Sequence, residues 1–325
     1  MDGKDSLYKK ISSALLEDGT LPKDFELVPK EEGQIAFAPG AADGIAYFHT
    51  RLQEPSGEQL TLMADAVWAS SVSEYDRAEE LFEQLGKAIA FPCILGTLQK
   101  FILDNKDTID NGAIFNTAVR LSAYSGKPVC VKFGLAMMDL FNTDLDDDVK
   151  HLVRMLALSD EFTIYCLYIM KDSWEDGNEE IFRTAQKVRG WGRIFAVDLL
   201  EPDTEEIREW LLTEGVRNDV LWAYSAIPCW EGSQAAKRLE GRLTQREFEG
   251  IRDIICALLD EGPCEGISAV ENIDSAVRTF LARAREFRLG PDDYSVINDL
   301  KAYYSNKGRP GEFIVRLCEE LIKEM

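Results

Sequence analysis

Residues 119–126 read VRLSAYSG, and the pattern returns twice, as VRMLALS at 153–159 and QKVRGWG at 186–192. Laid on the second copy at an offset of 34, the first keeps Val, Arg, Ala and Ser, and Leu121 meets Met155. At the next offset, 33, Arg154 meets Lys187, Met155 meets Val188, Ala157 meets Gly190 and Leu158 meets Trp191. Each copy closes a run with a small residue, a large apolar one, then Ser or Gly. A second apolar run follows within a few residues. The small residue lets the next helix approach closely, and the large one is placed to plug the gap. On this pattern Ala123 allows the approach and Tyr124 is the plug. A single helical hairpin cannot bury its apolar face alone, so such units stack on one another. A further AYS at 223–225 is out of phase with the three copies and is not counted.

Helical texture extends outward from these copies almost to the end of the chain. Apolar periodicity predicts helices at 59–71, 75–86, 94–105, 113–124, 129–141, 147–158, 162–171, 178–189, 193–200, 204–214, 218–226, 245–260, 267–287, 292–305 and 310–323. The stops between them are turn chemistry: SGKP at 125–128, NTDLDD at 142–147, and EPDTEE at 201–206 with its N-cap at Asp203 or Thr204. Pro310 stands near a helix start, where its missing N–H does no harm. Residues 5–17 suit one short amphipathic helix, whereas 24–52 read as extended or β-hairpin structure around a PGAADG turn. Strands and helices do not alternate, which argues against βαβ folds, dinucleotide-binding ones included. The expected fold is all-α: an α-α superhelix, a HEAT/armadillo-like solenoid, with a short non-helical N-terminal arm over about 20–55. The expected domains are 1–58, the N-terminal helix and arm, and 59–325, the helical repeats.

Neither the tetratricopeptide nor the ankyrin consensus is present, and the unit has the form of a short, degenerate HEAT-type hairpin. The stretch GWGRIFAVDLLEPDTEEIREWLLTEGVRNDV at 190–220, together with FAPGAADG at 37–44, resembles an uncharacterised bacterial family of HEAT-like helical-repeat proteins. Some members carry the label limonene hydroxylase. The resemblance covers roughly residues 25–230 and implies the helical-repeat fold. The hydroxylase label finds no support in these residues. No Glu-x-x-His motif marks a di-iron bundle, and GWGRIF has two glycines of a dinucleotide fingerprint but neither the third nor a preceding strand.

Composition narrows the partners. With 36 Lys and Arg against 58 Asp and Glu, the formal charge is −22. Such a surface repels phosphate backbones and anionic lipid, so neither nucleic acid nor a membrane is an expected partner. A basic protein surface or a small neutral or cationic ligand fits better. The N-terminal MDGKDSLYKKISSALLEDG lacks the apolar core of a signal peptide, and FTIYCLYIM at 162–170 is too short to span a bilayer. Seven cysteines, an odd number with no C-x-x-C pair, read as reduced core thiols. A cytoplasmic location is expected.

No catalytic constellation stands out, and no cofactor or metal site is expected. The two histidines, His49 and His151, lie far apart and outside metal-binding motifs. The acidic turns 104–112, 144–148 and 171–180 fail the EF-hand register, because Ala118 or Arg183 falls where the bidentate carboxylate belongs. They read as helix caps. The aromatic clusters read first as plugs between hairpins. The functional alternative is a concave groove with Trp191, Trp222 and Trp230 as exposed anchors for a peptide and Arg193 beside them, its structural role being a tether to Asp198 or Glu201. The expected function is a non-enzymatic scaffold binding a protein or peptide. An acidic immunity or inhibitor-type protein for a basic partner, or an enzyme with a site of carboxylates and aromatics, are the alternatives. Oligomeric state is not legible.

Overall fold

The computed structural model describes residues 6–29, 37–49, 52–262 and 264–324, and all regular structure in them is helical. The chain divides into two compact units, Met1–Leu199 and Leu200–Met325. No helix among the described residues is long and apolar enough to cross a membrane.

The first unit holds α1 (Leu7–Ser13), α2 (Ala41–His49), α3 (Gly57–Ser71), α4 (Tyr75–Ala88), α5 (Phe91–Asp104), α6 (Asn111–Tyr124), α7 (Pro128–Met138), α8 (Asp147–Leu156), α9 (Thr163–Ser173), α10 (Gly177–Lys187) and α11 (Trp191–Leu199). Local chemistry sets many of their starts. Ser56 and Gln59 form a capping box at α3, and Asp110 and Asp146 cap α6 and α8 by accepting from Ala113 N and Val149 N. Two of the acidic turns are thus caps, as expected; in the third, Asp176 stands before α10 without capping it and pairs instead with Lys150. Pro92 and Pro128 open α5 and α7, where no N–H is needed. In α8, Val149, Leu152, Val153 and Leu156 are buried at the spacing of one helical face.

The three sequence copies end α6, α8 and open the turn after α10, and each is followed by the helix it packs on: α6 on α7, α8 on α9, α10 on α11. The second helices also meet in succession, α4 with α7, α7 with α9 and α9 with α11, while α3 meets α6 and α6 meets α8. Rings run across this layer: Phe82 stacks on Phe133 at 4.6 Å, and Phe91 sets its edge to Phe133 at 4.9 Å and to Tyr165 at 5.0 Å.

The second unit holds α12 (Glu205–Trp210), which continues as a π-turn over Leu211–Gly215, then α13 (Ala223–Gly232), α14 (Ala235–Arg238), α15 (Gln245–Leu258), α16 (Ile273–Arg283), α17 (Pro291–Tyr304) and α18 (Gly308–Glu324). Thr204 is the cap of α12. Phe248 lies between Phe280 and Phe287 at 4.8 and 4.4 Å.

Four expectations fail for physical reasons. The extended hairpin around PGAADG is the helix α2, so the arm is not non-helical; of that arm, 30–36 and 50–51 lie outside the described residues. The helix expected at 218–226 starts at Ala223, because the Asn218 side chain accepts from Val220 N and Leu221 N and holds 218–221 as a turn. The run 267–287 is helical as α16 only over 273–283, with 3₁₀ turns on either side and Asn272 in the left-handed region. Finally, Tyr124 is no plug. It is 45% exposed, while its counterparts Leu158 and Trp191 are buried.

Close approach of α6 and α7 occurs at Ser122 and Gly134, not at Ala123. A Cβ on Gly134 would stand 2.6 Å from Ser122 Oγ and 2.8 Å from the Ala118 carbonyl oxygen. Gly134→Ala is expected to wedge this hairpin and destabilise the first unit by about 1–3 kcal/mol, read by urea unfolding. An unchanged midpoint would show that the hairpin has slack.

Candidate functional site

Helix α2 sits on α5 and α11, and polar side chains from α7 and α9 hold it there. Gly40 enters it at φ +74°, and its N–H donates to Glu161 Oε2 at 2.9 Å. A Cβ on Gly40 would come within 2.4 Å of the Asp160 carbonyl oxygen, and one on Gly44 within 2.1 Å of the Trp191 ring, so both positions need glycine. Between them Asp43 points inward. Its Oδ2 accepts from Lys132 Nζ at 2.6 Å and its Oδ1 from Tyr165 Oη at 2.7 Å. Lys132 also pairs with Glu161 Oε1 at 2.5 Å. Burial works to deprotonate Lys132, and Glu161 and Asp43 outweigh it, so its pKa lies above the ordinary lysine value and the ammonium stays charged.

One turn further along α2, Tyr47 leaves this buried cluster for the surface. Its hydroxyl donates to Asp198 Oδ2 at 2.7 Å, and its ring edge meets Phe195. Burial and the Asp198 carboxylate raise its pKa above the ordinary tyrosine value. Tyr168, one turn after Tyr165 on α9, is half-buried beside Tyr47 and Asp198, and burial raises its pKa too. Asp139, just past α7, completes the patch. Gln99 Nε2 donates to its Oδ2 at 2.9 Å, whereas its Oδ1 is buried with no hydrogen-bond partner. Burial, opposed by the Gln99 hydrogen bond and reinforced by the neighbouring carboxylate of Asp172, pushes this carboxyl up to about 6. Among the described residues no cation pairs with Asp139, Asp172 or Asp198. The patch therefore offers carboxylates and tyrosine rings with no cation paired to the carboxylates among the described residues. That combination favours an ammonium or guanidinium group.

The residues singled out from the sequence lie elsewhere or play other parts. Trp191 is 5% exposed at the start of α11, roofed by Gly44. Arg193 is half-buried and donates to the Ala185 carbonyl oxygen at 3.4 Å. Asp198, one of its two expected tethers, is bonded by Tyr47. Trp222 and Trp230 belong to the second unit, the first half-buried and the second 4% exposed. Trp191 and Trp230 thus fill cores and are not exposed anchors. The signal that was available is the lone lysine inside VCVKFGLAMM (129–138), since a charge in an apolar helix demands buried partners. Among the described residues no group of three His, Cys, Asp or Glu is arranged to hold a metal ion.

Lys132→Met leaves Asp43 and Glu161 facing each other without a cation, and is expected to cost about 3–5 kcal/mol in stability, with residues 37–49 becoming protease-sensitive first. Asp139 gives a pH signature. Its folded pKa is raised, so the stability it contributes is present below its unfolded value of 3.8 and is lost as pH rises through about 6. Asp139→Asn should therefore be more stable than the parent at pH 7 by about 1–2 kcal/mol, a gain that vanishes near pH 4, read by denaturation at each pH. A difference independent of pH would remove the buried-charge account. No protein-family model, curated protein or solved structure matches the chain, so its site is read from geometry.

Proposed function

We propose that the chain is a non-enzymatic helical-repeat scaffold that binds a basic protein or peptide through the face carrying Tyr47, Asp139, Tyr168, Asp172 and Asp198. What carries the proposal is Asp139: a largely buried carboxylate with an unbonded oxygen, close to the Asp172 carboxylate and to Tyr168, and paired with no cation among the described residues. A lysine or arginine from a partner would supply the missing charge and bring the Asp139 pKa back down. The net charge of −22 adds long-range attraction for such a partner and speeds its arrival. The hairpins repeated at 33–34 residues support an α-α superhelix of HEAT-like type, in keeping with the resemblance carried by FAPGAADG and GWGRIF, whose residues meet at Gly44 and Trp191. A cytoplasmic site of action fits the acidic, thiol-containing composition. An immunity-type role uses the same face and differs only in that the bound basic partner is inhibited.

Cross-linking in native lysate followed by purification is expected to yield one stoichiometric basic partner, released by salt. The double variant D139N/D198N should weaken the complex about tenfold or more, and D147N/D148N on α8 should not. Affinity should rise with pH through about 6 as Asp139 ionises. A neutral partner, a salt-independent complex or no partner under cross-linking would overturn the proposal. Assaying the captured partner with and without the chain separates scaffold from inhibitor.

A further inference from the structure

Arg120 is the arginine of the octet VRLSAYSG, and the next repeat shows what its position is built to hold. The counterpart there is Arg154. Its guanidinium carbon lies 5.2 Å from the centroid of the Trp174 ring. Its edge is closed by Glu180, with Nε donating to Oε2 at 3.0 Å and Nη2 to Oε1 at 3.1 Å. The Glu180 side chain is only 4% exposed, so this carboxylate is a fixed part of the hairpin.

Arg120 has the aromatic half of that arrangement and lacks the carboxylate. Its guanidinium carbon is 4.4 Å from the Tyr75 centroid and 5.9 Å from that of Tyr124. Nε is buried without a hydrogen-bond partner. Neither Nη is buried in this way, and among the described residues no carboxylate lies within ion-pairing distance. In a chain with 58 acidic residues, that is a conspicuous vacancy on a guanidinium. Tyr124, expected to be a plug, is instead an exposed wall of the stack. Rings on a guanidinium fix its plane, so its remaining donors present a preset fork suited to a planar acceptor with two oxygens.

We infer that Arg120, held by Tyr75 and Tyr124, is a docking point for a carboxylate of a partner protein, supplied by an Asp or Glu side chain or by a C-terminus. That carboxylate takes across an interface the place that Glu180 takes on Arg154, engaging the Nη pair end-on because Nε is buried. The site stands on α4 and α6 and does not depend on the acidic patch of α2, α7 and α9. The overall negative charge of the chain repels a uniformly acidic ligand, so the carboxylate is one set in a neutral or basic surface.

The test uses the full chain with ¹⁵N-labelled arginine and ¹³C-labelled tyrosine. Three peptides are titrated through the millimolar range at constant ionic strength: acetyl-Ala-Glu-Ala-amide, acetyl-Ala-Ala-Ala with a free C-terminus, and acetyl-Ala-Gln-Ala-amide. Saturable shifts are expected at the Arg120 Nε–H and at the rings of Tyr75 and Tyr124 with at least one carboxylate peptide, and no shift at Arg154. The tighter of the two identifies the carboxylate source. Arg120→Gln should weaken binding by about tenfold, the worth of one charge-assisted contact. Tyr124→Ala, at an exposed position, should weaken it while leaving the fold intact, and decides the matter if the arginine variant unfolds. No saturable shift with either carboxylate peptide, or an equal shift with the glutamine peptide, would overturn the inference.

Discussion

A single buried ammonium, that of Lys132, dictates how the first unit is put together. All residues from Cys130 to Met138 are buried, and Lys132 is the one charge among them. Removing an ammonium from water costs several kcal/mol unless carboxylates surround it in good geometry. One of those, Glu161, comes from the turn before α9, and the other, Asp43, from α2. Helix α2 is therefore not free to lie elsewhere, since its departure would leave the lysine with half its counter-charge. The close fit of Gly40 on Asp160 and of Gly44 on Trp191 follows from bringing Asp43 deep enough to reach. Once α2 is fixed, Tyr47 is delivered to Asp198, and the surface patch follows from the buried pair.

The repeat shows how one sequence pattern serves different ends. At its second and third copies the large residue is covered, as Leu158 and Trp191. At the first copy Tyr124 stays exposed, and the end of that hairpin is occupied otherwise: Leu7 N donates to the Ser125 carbonyl oxygen and Ser6 Oγ to that of Ala123. The peptide groups after α6 are thus satisfied by α1, and the tyrosine ring is left to stack on Arg120. Burial of a repeat position depends on what the rest of the chain brings to it, which no single repeat encodes.

Most helices were legible because their starts are capped and their apolar faces are periodic, as with Asp146 and the Val149–Leu156 face of α8. Helix α2 was not. PGAADG has turn composition, and the helix is held by Asp43 and Gly44 meeting partners distant in sequence, which overrides local preference. The start of α13 shifted for a local reason, the Asn218 turn, that a reading by apolar period passes over. Of the site, the aromatic residues were visible but their burial was not: Trp191 and Trp230 looked the same in sequence whether plug or anchor. Lys132 within its apolar run, and Tyr165 and Tyr168 one turn apart in FTIYCLYIM, carried the signal that was missed. The setting of Asp139 was beyond reach, because its bonding partner, Gln99, comes from α5.

The charges of the first unit fall into two kinds. Some are closed within the fold: Lys150 holds Asp144 and Asp176 over the Trp174 ring, and Arg154 holds Glu180 beside it. These need nothing from outside, and any binding there would first have to break an existing pair. Others are supported but open. Asp139 is bonded by an amide and lies near another carboxylate, and Arg120 is stacked on rings and pairs with no carboxylate among the described residues. Holding such groups unpaired is unfavourable; for Asp139 either protonation or a counter-charge relieves it, and for Arg120 a counter-charge does. A partner that presents a cation to one and a carboxylate to the other would relieve both. Selectivity would then rest on matching two opposite charges at fixed places, which the net charge of the chain alone cannot provide.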